Sequence, residues 1–236
     1  MEFEFDNFKD SFSFGIKYLP VTAKIAFVAL FFGIVFGLLI AIVRYYKIPV
    51  LSQLLAVIVT LYQGLPTMVA LLIYNLLFSI YIGDIIKLLH LNIAVRDVSN
   101  IIVAYLALSL FSTTSISETF RGALMSIDTL QFEAGHAIGL SRMQTLRRII
   151  IPQVIPVAIP GLINNMVGII KGTSLVMAIG VMEVMNASII PCSRTYSFLE
   201  GYVAAALIYW GFTLVIETAA KALEKKMKKF RREVNV

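Results

Sequence analysis

Residues 132–153 read FEAGHAIGLSRMQTLRRIIIPQ, a polar interval with a glycine at its hinge, set in a chain otherwise dominated by Leu, Ile, Val and Phe. Its local signals are orderly. Asp128 is placed to cap a short helix, with Gln131 three residues on to reach back as in a capping box. That helix carries Phe132, Glu133, Ala134, Gly135 and His136, and Gly139 supplies a left-handed stop. Ser141 then caps a second helix, with Gln144 as its partner, and this helix runs through Arg142, Arg147 and Arg148 to Pro152. Helix, glycine turn and helix is also the outline of a DNA-reading helix-turn-helix. A membrane-surface helix and a docking site for another protein share it, so the surroundings have to decide.

Those surroundings are membranous. Of 236 residues, 59% are hydrophobic and 14% charged, with a mean hydropathy of +0.87; soluble domains carry about 25% charged residues. A hydrocarbon core about 30 Å thick needs roughly 20 apolar residues per helical span. Five stretches qualify: residues 21–43, 51–82, 101–117, 154–180 and 202–220. The expected fold class is therefore all-α integral membrane, one transmembrane domain over residues 1–236. Short cytoplasmic helices lie in the interval 121–152, between the third and fourth spans. The acidic start (Glu2, Glu4, Asp6, Asp10), with no small-residue cleavage site after the first apolar run, does not read as a signal peptide.

Five spans put the termini on opposite sides. With the N-terminus outside, the inner segments hold Arg44, Lys47, Arg121, Arg142, Arg147, Arg148 and the basic tail from Lys221 to Arg232. The outer segments hold Lys9, Lys17, Lys87, Arg96 and Arg194 beside eight carboxylates. This is the asymmetry of the positive-inside rule, and it predicts an outside N-terminus and a cytoplasmic C-terminus. The tail KKMKKFRR reads as a helix end held at anionic lipid headgroups.

The DNA reading fails on this context. A helix-turn-helix needs a third helix for its core, and the flanking spans leave no residues for one. Its recognition helix would also be tied to the bilayer within a few residues of Arg148. A lipid-inserted helix would need a bulky apolar wedge, whereas Ala134 and Gly135 offer a small, flat surface. Small residues beside Glu133 suit docking into a groove on another protein. One cysteine, Cys192, and two histidines, His90 and His136, exclude a disulfide framework or a Cys/His metal site. Cys192 reads as a spectator thiol in an outer loop and His136 as a loop-surface residue.

Within the spans, Gly33, Gly37 and Ala41 form a small-residue stripe for close helix packing. The second span is interrupted by YQGLPT at Tyr62–Thr67, either a simple kink or a bend lining a pathway. Polar residues are costly against lipid, so those inside spans should face the bundle or an aqueous path. The candidates are Gln63, Thr67, Asn75, Ser112, Thr113, Asn164, Asn165 and Lys171. Lys171 has an alternative, snorkelling to the outer surface, and the run Ser112–Glu118 could instead emerge into the cytoplasm.

Several of these motifs together resemble a known family. EAGHAIGLSRMQTLRRIIIP is similar to the EAA loop of permease subunits in bacterial ATP-binding cassette importers, with Glu133, Ala134, Gly139 and Pro152 at the family's spacing. QGLPT (Gln63–Thr67), ETFRG (Glu118–Gly122) and NNMVGIIKGTSL (Asn164–Leu175) resemble the polar amino-acid branch of type I importers. The similarity runs from about residue 21 to 224. It implies coupling to the ATPase through Glu133, Ala134, Gly135, Gly139 and Arg142. It also implies two ATP-binding cassette subunits, a second permease subunit (the same or a sister chain), an extracytoplasmic substrate-binding protein and a place in the bacterial cell membrane. ATP and Mg would be bound by the partner subunits, with no cofactor in this chain. The segment GIIKGTS does not match the phosphate-binding GxxxxGK[ST] pattern, so no ATP hydrolysis is expected here. Gln63, Ala70, Thr114–Ser115, Gly135 and Gly172 depart from the family pattern, leaving the coupling reading intact and the substrate open. The rival classes are an ATP-independent secondary carrier or channel and a non-transporting scaffold. Neither explains the docking loop, and a carrier's embedded carboxylates are sparse, essentially Glu118 and Glu217.

Overall fold

The computed structural model describes the backbone of residues 3–90 and 92–234; the side chains of Leu223 and of residues from 226 onward, including most of the basic tail, lie outside the described part. Among the described residues the regular structure is entirely helical. In chain order the helices are α1 (Phe5–Lys17), α2 (Leu19–Tyr45), α3 (Leu51–Gly64), α4 (Thr67–Leu88), α5 (Ile101–Met125), α6 (Leu130–Ala137), α7 (Arg142–Thr145), α8 (Ile151–Gly172), α9 (Val184–Ile189) and α10 (Phe198–Val234). Five segments are long and apolar enough to cross a membrane: α2, α4, α5, the run Arg142–Ile179, and Phe198–Ala222 of α10.

The second expected span, 51–82, is two helices rather than one. α3 stops at Gly64, Leu65 is extended (φ −84°, ψ 131°), and α4 starts after Pro66. A proline pushes the residue before it out of the helical region, and its fixed φ suits the start of the next helix. QGLPT is therefore a complete break, and the membrane-length piece lies after it. The third span does not end at residue 117 but continues to Met125. The fourth has no gap between loop and span. A π turn over Leu146–Ile150 joins α7 to α8. The ring of Pro152 conflicts with the carbonyl four residues earlier, and a wider turn just before it accommodates that conflict. Beyond Gly172 the chain tightens to a 3-10 helix over Thr173–Ile179 and turns at Gly180 (φ +76°).

α2 and α5 form the central pair. The small-residue stripe lets them approach. A Cβ at Gly33 would lie 2.0 Å from Ser112 Oγ, and one at Gly37 3.0 Å from the Ser117 backbone nitrogen. In lipid such contact rests on packing, since burial supplies little hydrophobic drive. One core cluster gathers Ile25, Ala29, Leu71, Leu108, Ile170 and Val176 towards one end of the pair. A second gathers Ala41, Ile116, Leu124, Leu146, Ile150 and Val154 near the polar loop. Outward-facing Phe31, Leu39, Leu61 and Leu76 remain exposed, as expected of surfaces meeting lipid or another subunit.

Two helices were not anticipated from sequence, α1 and α9. α1 buries Ser11 and Gly15 against α9 and α10. Cys192 is a correction to the loop-thiol expectation. It is fully buried, with Sγ 3.0 Å from Ser11 Oγ.

Candidate functional site

The polar interval folds into two short helices on the end of the bundle where α2 and α5 finish. The expected capping box at Asp128 does not form. Thr129 occupies the N-cap position, and Asp128 Oδ1 accepts the Leu130 N–H at 2.9 Å as an isolated turn. Gln131 accepts instead from Gln153 Nε2 at 3.5 Å, because it faces α8 rather than its own N-terminus. Gly139 does what its sequence position predicts. With φ +80°, it lets its N–H reach His136 O at 2.9 Å and the Leu140 N–H reach Gly135 O at 3.0 Å, closing the helix as a Schellman motif. Ser141 and Gln144 form the reciprocal capping box at 2.8 and 3.3 Å.

α6 is seated firmly on its inner side. Phe132 stacks on Tyr45 and meets Tyr46 edge-on, with ring centroids 6.2 and 6.4 Å away. Burial pushes the Tyr46 phenol pKa up, and its hydroxyl has no hydrogen-bond partner. Gly135 is buried, and a Cβ there would stand 2.6 Å from Thr145 Oγ1 and Cγ2. The small residue at 135 therefore serves contact between α6 and α7; of the small, flat surface expected from Ala134 and Gly135, Ala134 faces outward and Gly135 does not. Glu133, Ala134 and His136 are exposed, as are Arg142, Arg147 and Arg148. His136 Nδ1 sits 3.1 Å from Leu140 O, a local turn contact. Leu130, Ile138 and Met143 add exposed apolar surface around Glu133 and Ala134.

Behind α6 lies a charged tie. Glu118 pairs with Arg44 at the end of α2 and accepts from Arg121 Nε at 2.8 Å. The sequence motif ETFRG thus joins the last turns of α2 and α5 beneath the loop.

The candidate path residues do not come together as one lining. Ser112 and Thr113 are buried in the α2–α5 seam beside Gly33 and Gly37, because the small-residue stripe draws those helices together. Asn165 accepts from Ser115 Oγ at 2.5 Å and donates to Thr119 Oγ1 and Gly161 O, each at 2.9 Å, holding α8 to α5. Gln63 Nε2 donates to Thr114 O at 3.2 Å, and Tyr62 OH to Ala107 O at 3.4 Å, fixing the broken helix against α5. Asn164 and Lys171 are exposed, Thr67 and Asn75 half-buried, and Asn75 Oδ1 has no partner. A cavity of about 490 Å³ lies elsewhere, at the start of α5, bounded by Val21, Arg96, Asn100, Gly180 and Val181 among others; none of the path candidates lines it.

Sequence reasoning missed a third cluster. Glu183, fully buried, contacts Thr22 on α2 and Tyr209 on α10. Glu183 lies between the fourth and fifth spanning segments, and its carboxylate is buried in protein rather than open to an outer loop. The segment GVMEVM around Glu183 carries no period or cap that marks the residue, and its partners are 161 and 26 positions away.

Comparison with known proteins gives consistent matches. Residues 33–229 match the family model described as the binding-protein-dependent transport system inner membrane component. Over 214 residues, 91% of both chains, the sequence is 36% identical to YxeN of Bacillus subtilis (strain 168), named a probable amino-acid permease. It is 31% identical over 229 residues to PatM of Vibrio harveyi, named a probable amino-acid ABC transporter permease, covering 97% of this chain and 98% of the relative. The fold superposes with a TM-score of 0.77 on a chain of an amino acid ABC transporter crystallised with histidines, at 26% identity, covering 96% of this chain and 100% of the other.

Proposed function

Since the chain belongs to the family of binding-protein-dependent transport system inner membrane components, a multi-pass membrane transport permease, we propose that it is the translocating subunit of an ATP-driven amino-acid importer. The working complex has two permease subunits, two cytoplasmic ATPase subunits and an extracytoplasmic binding protein that delivers the amino acid. Its place is the bacterial cell membrane, with the N-terminus of each permease outside and the C-terminus in the cytoplasm. Relatives named as amino-acid permeases support the cargo class. ATP and Mg belong to the partner subunits.

One observation carries the reading. α6 turns Glu133 and Ala134 outward while its inner side rests on Tyr45, Tyr46 and Thr145. A partner that grips the outer side therefore pushes on α2 through stacked rings and on α8 through α7. Glu133 supplies a charge-assisted contact to the ATPase cleft and Ala134 permits close approach. Gly139 sets the angle between α6 and α7, and Arg142 borders the cleft. The permease is bistable: ATP closes the motor, the loaded binding protein engages the opposite face, and both bias it toward outward opening. Asn164 and Lys171, and the half-buried Thr67 and Asn75, are the candidates left to meet the cargo. Gln63, exposed although bonded to α5, stays among them, while Ser112, Thr113 and Asn165 shape the path from behind.

Gly139→Val tests this. A β-branched residue is strained at φ +80°, so α6 should tilt. ATP-driven uptake into proteoliposomes should fall at least about tenfold, more than 1.4 kcal/mol of lost coupling. Undiminished uptake with normal co-purification of the ATPase would overturn the coupling role.

A further inference from the structure

The cluster around Glu183 is unused by the coupling mechanism, and burying a carboxylate is costly unless it is fully bonded. Here it is. Oε1 accepts the N–H groups of Met185 at 2.8 Å and Asn186 at 3.2 Å, capping α9. Oε2 accepts from Thr22 Oγ1 at 3.2 Å and from the Tyr209 hydroxyl. Thr22 Oγ1 in turn accepts the Val184 N–H at 3.2 Å. A cap for a six-residue helix would need only a Ser, Thr, Asn or Asp, so the longer carboxylate and its second oxygen ask for another reason.

That second oxygen leads to the transport segment. Beyond Glu183, the Tyr209 hydroxyl oxygen, its one hydrogen given to Glu183, lies 3.3 Å from Thr173 Oγ1 and accepts from it; the single Thr173 hydrogen is shared between Tyr209 and Ile170 O, the latter at 2.6 Å. Ile170 precedes Lys171, and Thr173 is where α8 gives way to the 3-10 helix. Ser174 Oγ closes the same turn by donating to Lys171 O at 2.7 Å. The start of α2, the end of α8 and the middle of the α10 span therefore gather around one carboxylate, directly or through Tyr209, and the turn that presents exposed Lys171 is linked to it.

We propose that Glu183 is a positioning residue for transport: through Tyr209 and Thr173 it fixes the backbone turn that presents Lys171 to the cargo. This rests on the importer reading above. A glutamine at 183 keeps one acceptor oxygen for the α9 amides and turns its N–H₂ towards Thr22 and Tyr209, whose hydroxyls would have to accept instead of donate; the charge is lost and the direction of the Tyr209 bond is reversed, although the volume is kept.

The test uses the complete importer in proteoliposomes charged with ATP, following a radiolabelled mixture of the common amino acids and the ATP consumed. The readout is amino acid imported per ATP hydrolysed. Glu183→Gln and Thr173→Val should each lower that ratio about tenfold, the scale of one broken buried bond, while Thr173→Ser, which keeps the hydroxyl, should stay within about twofold. Adding Glu183→Gln to Lys171→Ala should cost no more than about a further twofold, because the two act through one element. A purely structural role predicts something different: assembled complex, ATP hydrolysis and import falling in proportion, with the ratio intact. That result, or full multiplication of the two losses, or equal behaviour of Thr173→Ser and Thr173→Val, would overturn the inference. If Glu183→Gln fails to assemble, the valine and serine pair at 173 decides alone. A wild-type complex that imports nothing with ATP would instead refute the importer reading itself.

Discussion

Gly135 occupies a position where one methyl group decides a contact. It is buried under α6, where the Thr145 side chain leaves no room for a Cβ. Thr145 cannot swing aside, since it is β-branched and its hydroxyl donates to Ser141 O at 3.1 Å. Gly135→Ala should therefore cost about 1–3 kcal/mol of local packing and reduce ATP-driven uptake. Combining it with Thr145→Ala should restore much of the loss, a coupling visible in a double-mutant cycle. Independent, additive losses would show that the glycine is small for some other reason. The same residue marks a limit of reading from sequence. A small residue beside an exposed Glu looks like a docking surface in one dimension; only the fold of α7 back under α6 turns it inward. Gly139 was legible because its demand is local, a backbone angle that few residues but glycine adopt at low cost. Glu183 was not, because what explains it lies on α2 and α10.

At the scale of elements, the second short helix is the best-defined piece of the loop. Its capping box, Ser141 with Gln144, was visible as a pattern because both partners lie within one turn. Ser141→Ala should remove about 1 kcal/mol of cap, and the Gln144 and Thr145 amides should exchange with solvent about fivefold faster. Unchanged exchange would mean that continuity with α8, rather than the cap, holds α7 in place. The failed box at Asp128 shows the opposite case: Gln131 had the right spacing, but a partner on α8 competed for it. The broken second span was legible as an interruption in QGLPT, though not in extent. Gly64 and Pro66 weaken a helix locally, while the bonds from Tyr62 and Gln63 to α5 hold the two pieces apart. α1 escaped notice because its buried face is Ser11 and Gly15, too small to register as an apolar stripe. Its remaining surface divides between an aromatic flank with Phe5, Phe8 and Phe12 and a polar one with Asp6, Lys9 and Asp10.

For the molecule as a whole, orientation is the property on which every functional assignment depends. The single cysteine offers a clean background, since Cys192 is fully buried. The unaltered protein in sealed cells should resist a membrane-impermeant maleimide until it is denatured. In a Cys192→Ser background, Ser13→Cys, at an exposed site on α1, should label from outside. Met143→Cys, at an exposed site on α7, should label only after permeabilisation. Reversal of that pair would invert the assigned topology and move the coupling loop away from any cytoplasmic ATPase. The five-span architecture itself was readable from composition and length. The bilayer imposes both, and both survive errors of several residues at each boundary.

The backbone from Arg142 to Gly172 never leaves helical geometry, although a π turn and three prolines interrupt its regular bonding. It is a rod about 45 Å long at 1.5 Å per residue. One end belongs to the polar loop and the other carries Lys171. In the proposed importer a stroke delivered at the loop would travel along this one continuous run, with the π turn and the prolines as the points where it bends. Timing follows from this. Under the proposed coupling, an opening at the far side of the membrane would follow movement of the loop, as the opposite ends of one shaft turn together.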